Sequence, residues 1–142
     1  MNRLILENTL KDVEMAKAKL VKKILYDFLR HVRFLECYKV IFDPDGYTIK
    51  KLRKYFRFKE KDNKIYYSYD DITIKMIIID LLLSLPFEMH ETRKRFRKYK
   101  NKFGFLCNQE EQVIHKIWKL DAQVIVDKIF YKDLSNLIMT YL

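Results

Sequence analysis

Three histidines, His31, His90 and His115, are the side chains best suited to move protons near neutral pH, and they fall in three separate segments. His115 follows Glu111 by one helical turn, and His90 stands between Glu88 and Glu91. A His beside a Glu can act as a general base, but on a helix surface the pair is more often a solvated contact. His31 has no acid nearer in sequence than Asp27 and Glu36. No histidine has an arginine four to seven residues before it, a spacing found in small helical ribonucleases. There is no HExxH and no paired CxxC for zinc, and two glycines cannot build a phosphate loop. Asp43 with Asp45, and Asp70 with Asp71, are explained by a turn and a helix cap rather than by a metal. The expectation is a protein that is not an enzyme and uses no cofactor or metal.

The chemistry that the sequence does offer is cationic. Twenty-nine Lys and Arg against 19 Asp and Glu give a formal charge of +10, which favours a polyanionic partner. Arg93, Lys94, Arg95, Arg97, Lys98, Lys100 and Lys102 follow one another between Glu91 and Glu110 with no acid among them. At 100° per residue, Met89, Thr92, Phe96, Tyr99 and Phe103 share an arc of about 80°. They form the expected core-facing stripe, and the cations cover the rest of the circumference. A solvated helix face would normally interleave Glu with Lys one turn apart; here an external anion would have to relieve the repulsion. A second basic strip is Lys50, Lys51, Arg53, Lys54 and Arg57, followed by Lys59, Lys61 and Lys64. Tyr66, Tyr67 and Tyr69 would stack bases if exposed. No base-reading motif is present, so contacts to the phosphate backbone are expected, with DNA and RNA both open. A basic amphipathic helix also suits an anionic membrane surface, but its apolar arc is narrow and its rings are needed inside.

The elements that must hold these residues are mostly helical. From Asn2 to about Val40 apolar residues recur every three or four positions, at Leu6, Leu10, Val13, Leu20, Ile24, Phe28, Val32 and Leu35. A helix of that length would outrun a compact domain, so a bend or break is expected between His31 and Cys37, unless the helix projects. Asp43-Pro44-Asp45-Gly46 has the residues of a type I turn; the spacing of acids after it does not continue as a calcium loop. Thr48 is the expected cap of a short helix with Ile49, Leu52 and Phe56 inward. Two runs flanking Lys59–Lys64 predict a β-hairpin at about residues 57–69. Helix followed by hairpin resembles in order the last two parts of a winged-helix module, an order too common to define a family.

Asp70 or Asp71 should cap a helix from Ile72 to Leu85, apolar on nearly every side and therefore placed at the centre of the core. Asp80 within it is expected at a wet edge or against a neighbouring cation. The helix after Pro86 should end near Gly104. A capping box, Asn108 with Glu111, should open another helix to about Tyr131, and Asp133 a last short one with Leu134, Leu137, Ile138 and Tyr141. Trp118 is expected as a core anchor rather than a contact for partners.

The whole is expected to be mainly α, a single domain over residues 1–142 built as a bundle of five to six helices with one small hairpin. Cys37 and Cys107, with no secretory signal before them, point to an intracellular protein, and no apolar run is long enough to span a membrane. Scarce Gly and Ala beside abundant Lys, Ile, Tyr and Phe fit an AT-rich genome, such as that of a virus or mobile element. The expected function is non-catalytic binding of nucleic acid within a replication, transcription or packaging assembly that includes other proteins. The alternative is a virus-encoded helical adaptor, a Bcl-2-like bundle acting through protein–protein interaction, although no motif of that family is present.

Overall fold

The computed structural model describes residues 2–55, 59–61, 64–66, 69–86 and 88–141, and within these not every side chain. The protein is mainly helical, with five α-helices among the described residues: α1 Arg3–Cys37, α2 Lys39–Phe42, α3 Tyr47–Arg53, α4 Asp71–Ser84 and α5 His90–Tyr141. Between α3 and α4, β1 (Lys59–Lys61) pairs antiparallel with β2 (Lys64–Tyr66), with Glu60 opposite Ile65. The chain divides into two compact units, one of residues 1–14 with 108–142 and one of residues 15–107.

In the 15–107 unit the expected apolar stripe of α1 is buried through Leu20, Ile24, Phe28, Val32 and Leu35, joined by Val21 and Leu25. The helix does not break between His31 and Cys37. Its stripe runs unbroken to Leu35, and the turn comes after Cys37, where Tyr38 precedes the one-turn α2. This part of α1 runs antiparallel to the first turns of α5: Ala16, Leu20 and Lys23 line one groove with Tyr99 and Lys102, while His31 and Phe34 line another cavity with Met89, Thr92 and Phe96.

The turn forms as expected, with the Gly46 amide donating to the Asp43 carbonyl at 3.0 Å. Gly46 takes φ +70°, a left-handed conformation that glycine adopts without strain. Thr48 is not the cap of α3. The Asp43 carboxylate, only 2% exposed, accepts the amides of Thr48 at 3.0 Å and Ile49 at 2.9 Å, so the acid that opens the turn satisfies the helix start. Ile49 and Leu52 are the inward residues; Phe56 lies outside the described residues.

Asp70 caps α4 through the Thr73 amide at 2.8 Å. This helix is not the centre of the core. Ile74, Ile77, Ile78 and Leu81 are buried, whereas Ile72, Met76, Ile79 and Leu83, a second apolar stripe at spacings of three and four, are exposed. Asp80 sits half-buried between them, accepts the Tyr55 hydroxyl, and has Lys54 at 3.4 Å and Lys51 at 3.9 Å, the neighbouring-cation arrangement expected for it.

Three expected helix boundaries are absent. α5 runs without interruption through Gly104, Asn108 and Asp133. Phe103, Leu106, Cys107 and Val113 are buried on both sides of the glycine at helical spacing, so burial continues the helix through weak local stop signals. A Cβ placed on Gly104 meets nothing within 4 Å. Gly104→Ala is therefore expected to stabilise the protein by about 0.5–1 kcal/mol, read as a higher midpoint in urea with an unchanged slope.

The other unit is formed by the first turns of α1 and the distal part of α5. Leu6, Val13 and Val113 are buried within it, and the Arg3 guanidinium binds Asp121 across the two helices and Glu7 on its own at 2.9 Å. Trp118 is not a core anchor: it is 63% exposed, with its ring stacked on that of His115 at 6.1 Å. The side chains of Asp133, Leu137, Ile138 and Tyr141 lie outside the described residues.

Candidate nucleic-acid interface

Phe96, Tyr99 and Phe103 are buried, as the stripe predicts, and their burial fixes the direction of every cation around them. The Tyr99 hydroxyl donates to Asp27 on α1, and burial, reinforced by that carboxylate, pushes the phenol well above its usual range. The ring thus locks the rotation of α5 against α1.

The cations of α5 then separate by direction. Arg93 points to the end of α4, where it donates to the carbonyls of Leu85 at 2.9 Å and Pro86 at 3.4 Å; this satisfies helix-end acceptors. Arg95 lies 4.0 Å from Asp27. Lys100 stands with Lys75 at a small apolar cavity lined by Ile78, Ile79 and Phe103. Lys94 and Arg97 are exposed.

Lys98 and Lys102, one turn apart, face α1, where Lys19 and Lys23 have the same spacing. These four lysines, with Ala16, Leu20 and Tyr99, line an open groove of about 450 Å³ that contains no carboxylate. No ion pair or hydrogen bond joins any of the four to another side chain among the described residues. Side chains one helical turn apart are about 5–6 Å from each other, close to the spacing of successive phosphates on a nucleic-acid strand. Four ammonium groups in two such rows repel one another in the free protein, and a row of anions would relieve that repulsion.

The second strip divides differently. Arg53 pairs with Glu36 at 2.8 Å, and Lys51 and Lys54 gather around Asp80. Lys54 also lies 4.9 Å above the Tyr55 ring. Lys50 is exposed and shares a cleft of about 430 Å³ with Lys39, Arg53 and Glu36. Arg57 and Tyr67 lie outside the described residues, as does the side chain of Tyr66; Tyr69 is half-buried, its hydroxyl donating to the Tyr55 carbonyl. The two strips therefore differ in kind, because much of the α3 charge is matched by acids and the α1–α5 groove is not.

Lys19 and Lys23 are the residues that sequence reasoning passed over. Their signal was present in AKAKLVKK, residues 16–23, where four lysines occur without an acid. One of these, Lys17, turns the other way and pairs with Asp71 at 2.7 Å. Charge is also unequal between the units. Residues 15–107 hold 23 Lys and Arg against 11 Asp and Glu, a net +12, and the remaining residues carry −2.

The three histidines have different surroundings. His31 is buried with Nε2 unpaired, beside Phe34; His90 begins α5; and His115 lies against Trp118. Among the described residues no three His, Cys, Asp or Glu side chains converge on a point where a metal would sit. Burial pushes the His31 imidazole down from 6.5 to about 4. The unfolded chain takes up this proton near pH 6.5 and the folded one only near 4, so protonation favours unfolding within that window. The His31 contribution is expected to be level well above pH 6.5 and to lower stability by about 2.5 kcal/mol as pH drops from 6.5 to 4. Urea unfolding at several pH values checks this, and His31→Leu should flatten this part of the profile.

Comparison with protein-family models, with curated proteins and with solved structures finds no match to the chain. Among the described residues no helix is long and apolar enough to cross a membrane.

Proposed function

We propose that the protein binds nucleic acid through its phosphates, without catalysis, and that the groove of Lys19, Lys23, Lys98 and Lys102 is the centre of the contact. The observation that carries this reading is the groove itself: four lysines in two facing rows, no carboxylate among the lining residues, and a surrounding unit of net +12. Lys94, one turn before Lys98, extends the contact along α5; Arg97 and Lys100 lie on other sides of the helix, Lys100 beside Lys75, and would meet only an anion that wraps around it. Lys50 forms its second edge within a helical bundle; Arg57, outside the described residues, is included in the proposed contact for its charge alone. Arg93, Arg95, Lys51, Arg53 and Lys54 belong to the same basic surface, where their protein partners compete with phosphate. Such a protein works inside the cell as a component of a replication, transcription or packaging assembly.

Titration of labelled duplex DNA, single-stranded DNA and RNA at rising salt tests the reading. Four phosphate contacts give log K a slope of about −3 to −4 against log salt. No binding of any of these at about 50 mM salt, where such contacts are strongest, would overturn it.

The exposed stripe of α4, Ile72, Met76, Ile79 and Leu83, favours a second reading, a helical adaptor that takes a partner protein on this face. Pull-down of a partner that survives changes at the four lysines and is lost with Met76→Glu would support the adaptor.

A further inference from the structure

Distal α5 carries a second apolar stripe that its own chain leaves exposed. Trp118, Ala122, Ile125 and Ile129 follow at steps of four, three and four, the repeat of a coiled-coil seam. Trp118, Ile125 and Ile129 are 63%, 58% and 56% exposed. On the helical wheel the seam spans about 60° and is centred roughly 140° from the Val113, Ile117 and Leu120 stripe. It is therefore separate from the side that begins the buried core of its unit.

We propose that this seam pairs with the same seam of a second copy, in antiparallel orientation. The charges beside it are self-complementary only in that orientation. Placing Trp118 opposite Ile129 and Ala122 opposite Ile125 of the other copy brings each Asp121 next to Lys128 of the partner subunit, twice by the two-fold symmetry. Arg3 holds Oδ1 of Asp121, and Oδ2 remains for the partner's Lys128. The layers also alternate in size, with the small Ala122 meeting a branched Ile125 and the large Trp118 lying at the ends, so two seams can interlock. Pairing occurs on the unit whose own net charge is −2, so that unit brings no excess of positive charge to oppose it.

The test is sedimentation of the full chain without nucleic acid, so its result is independent of the binding reading. The protein is expected at about twice the monomer mass of 17.5 kDa, and Ile125→Glu is expected to return it to the monomer with an unchanged helical circular-dichroism spectrum. In a Cys37→Ser background, chains carrying Ala122→Cys should form a disulfide with chains carrying Ile125→Cys faster than with themselves. A wild-type monomer up to about 100 µM, where a weak dimer would still assemble, overturns the proposal and leaves the seam to a different chain. A dimer that survives Ile125→Glu, or preferential self-coupling of Ala122→Cys, overturns it as well.

Discussion

Replacing Lys19, Lys23, Lys98 and Lys102 together by Gln is expected to lower affinity for a short DNA duplex on the order of 10³-fold at about 0.1 M salt. Each neutralised phosphate contributes a slope near −0.9 in log K against log salt, or roughly eightfold at 0.1 M relative to 1 M, and four contacts multiply. The salt slope should fall by about 3 to 4 in the same measurement. Gln keeps the aliphatic stem and favours helix, and no acid lines the groove, so the fold should not suffer. Relief of the repulsion among the four ammonium groups should slightly raise stability. The same substitution at Lys51, Arg53 and Lys54 is expected to weaken binding far less, because Asp80 and Glu36 already hold those charges. Equal losses at the two strips would mean that free charge, rather than groove geometry, sets affinity.

Asp43→Ala is expected to cost about 2–3 kcal/mol of folding stability, the largest effect anticipated from a single polar side chain here. Its carboxylate is buried and accepts two amides at the start of α3. Truncation leaves the Thr48 and Ile49 N–H groups with no acceptor in a place that water enters poorly. Asp43→Asn keeps one oxygen and a similar shape, so it should lose about half as much. Urea unfolding measures both. If alanine proved no worse than asparagine, α3 would be held by Ile49 and Leu52 packing alone. Binding offers a second readout, since α3 carries Lys50: Asp43→Ala should reduce affinity only modestly while the protein stays folded.

Much of this was legible in the sequence where burial and periodicity coincide. The stripe from Leu6 to Leu35 and the Phe96, Tyr99 and Phe103 spine were readable because a spacing of three and four has one helical solution. Boundaries were not. Gly104, Asn108 and Asp133 each have the residue type of a helix end, yet a stop signal worth about 1 kcal/mol at the first two cannot interrupt a helix whose next turns bury Leu106, Cys107 and Val113; the helix also passes Asp133, where that burial gives no explanation. Likewise α4 is apolar on two faces, and sequence cannot say that this chain covers one of them and leaves Ile72, Met76, Ile79 and Leu83 outside. Trp118 misled for the same reason, since a ring suits a core and an interface equally.

The candidate site was legible by halves. The α5 cations stood out because no acid separates them, but their separation into helix-end ligands, an ion-pair partner and groove lysines depends on what faces each one. Arg93 meets the carbonyls at the end of α4, seven and eight residues back across a turn, and Arg95 meets Asp27, 68 residues away; neither contact follows from helical spacing alone. Lys19 and Lys23 become significant only when α1 lies antiparallel to α5, because residues almost eighty positions apart then share one groove.

Differential lysine acetylation read by mass spectrometry, with and without bound duplex DNA, tests the central claim most directly. Lys19, Lys23, Lys98 and Lys102 are expected to be strongly protected by the nucleic acid, whereas Lys11, Lys116 and Lys119 of the other unit should react equally in both states. Protection confined to the α3 lysines, or no protection of the four groove lysines under conditions where the duplex is bound, would contradict the account.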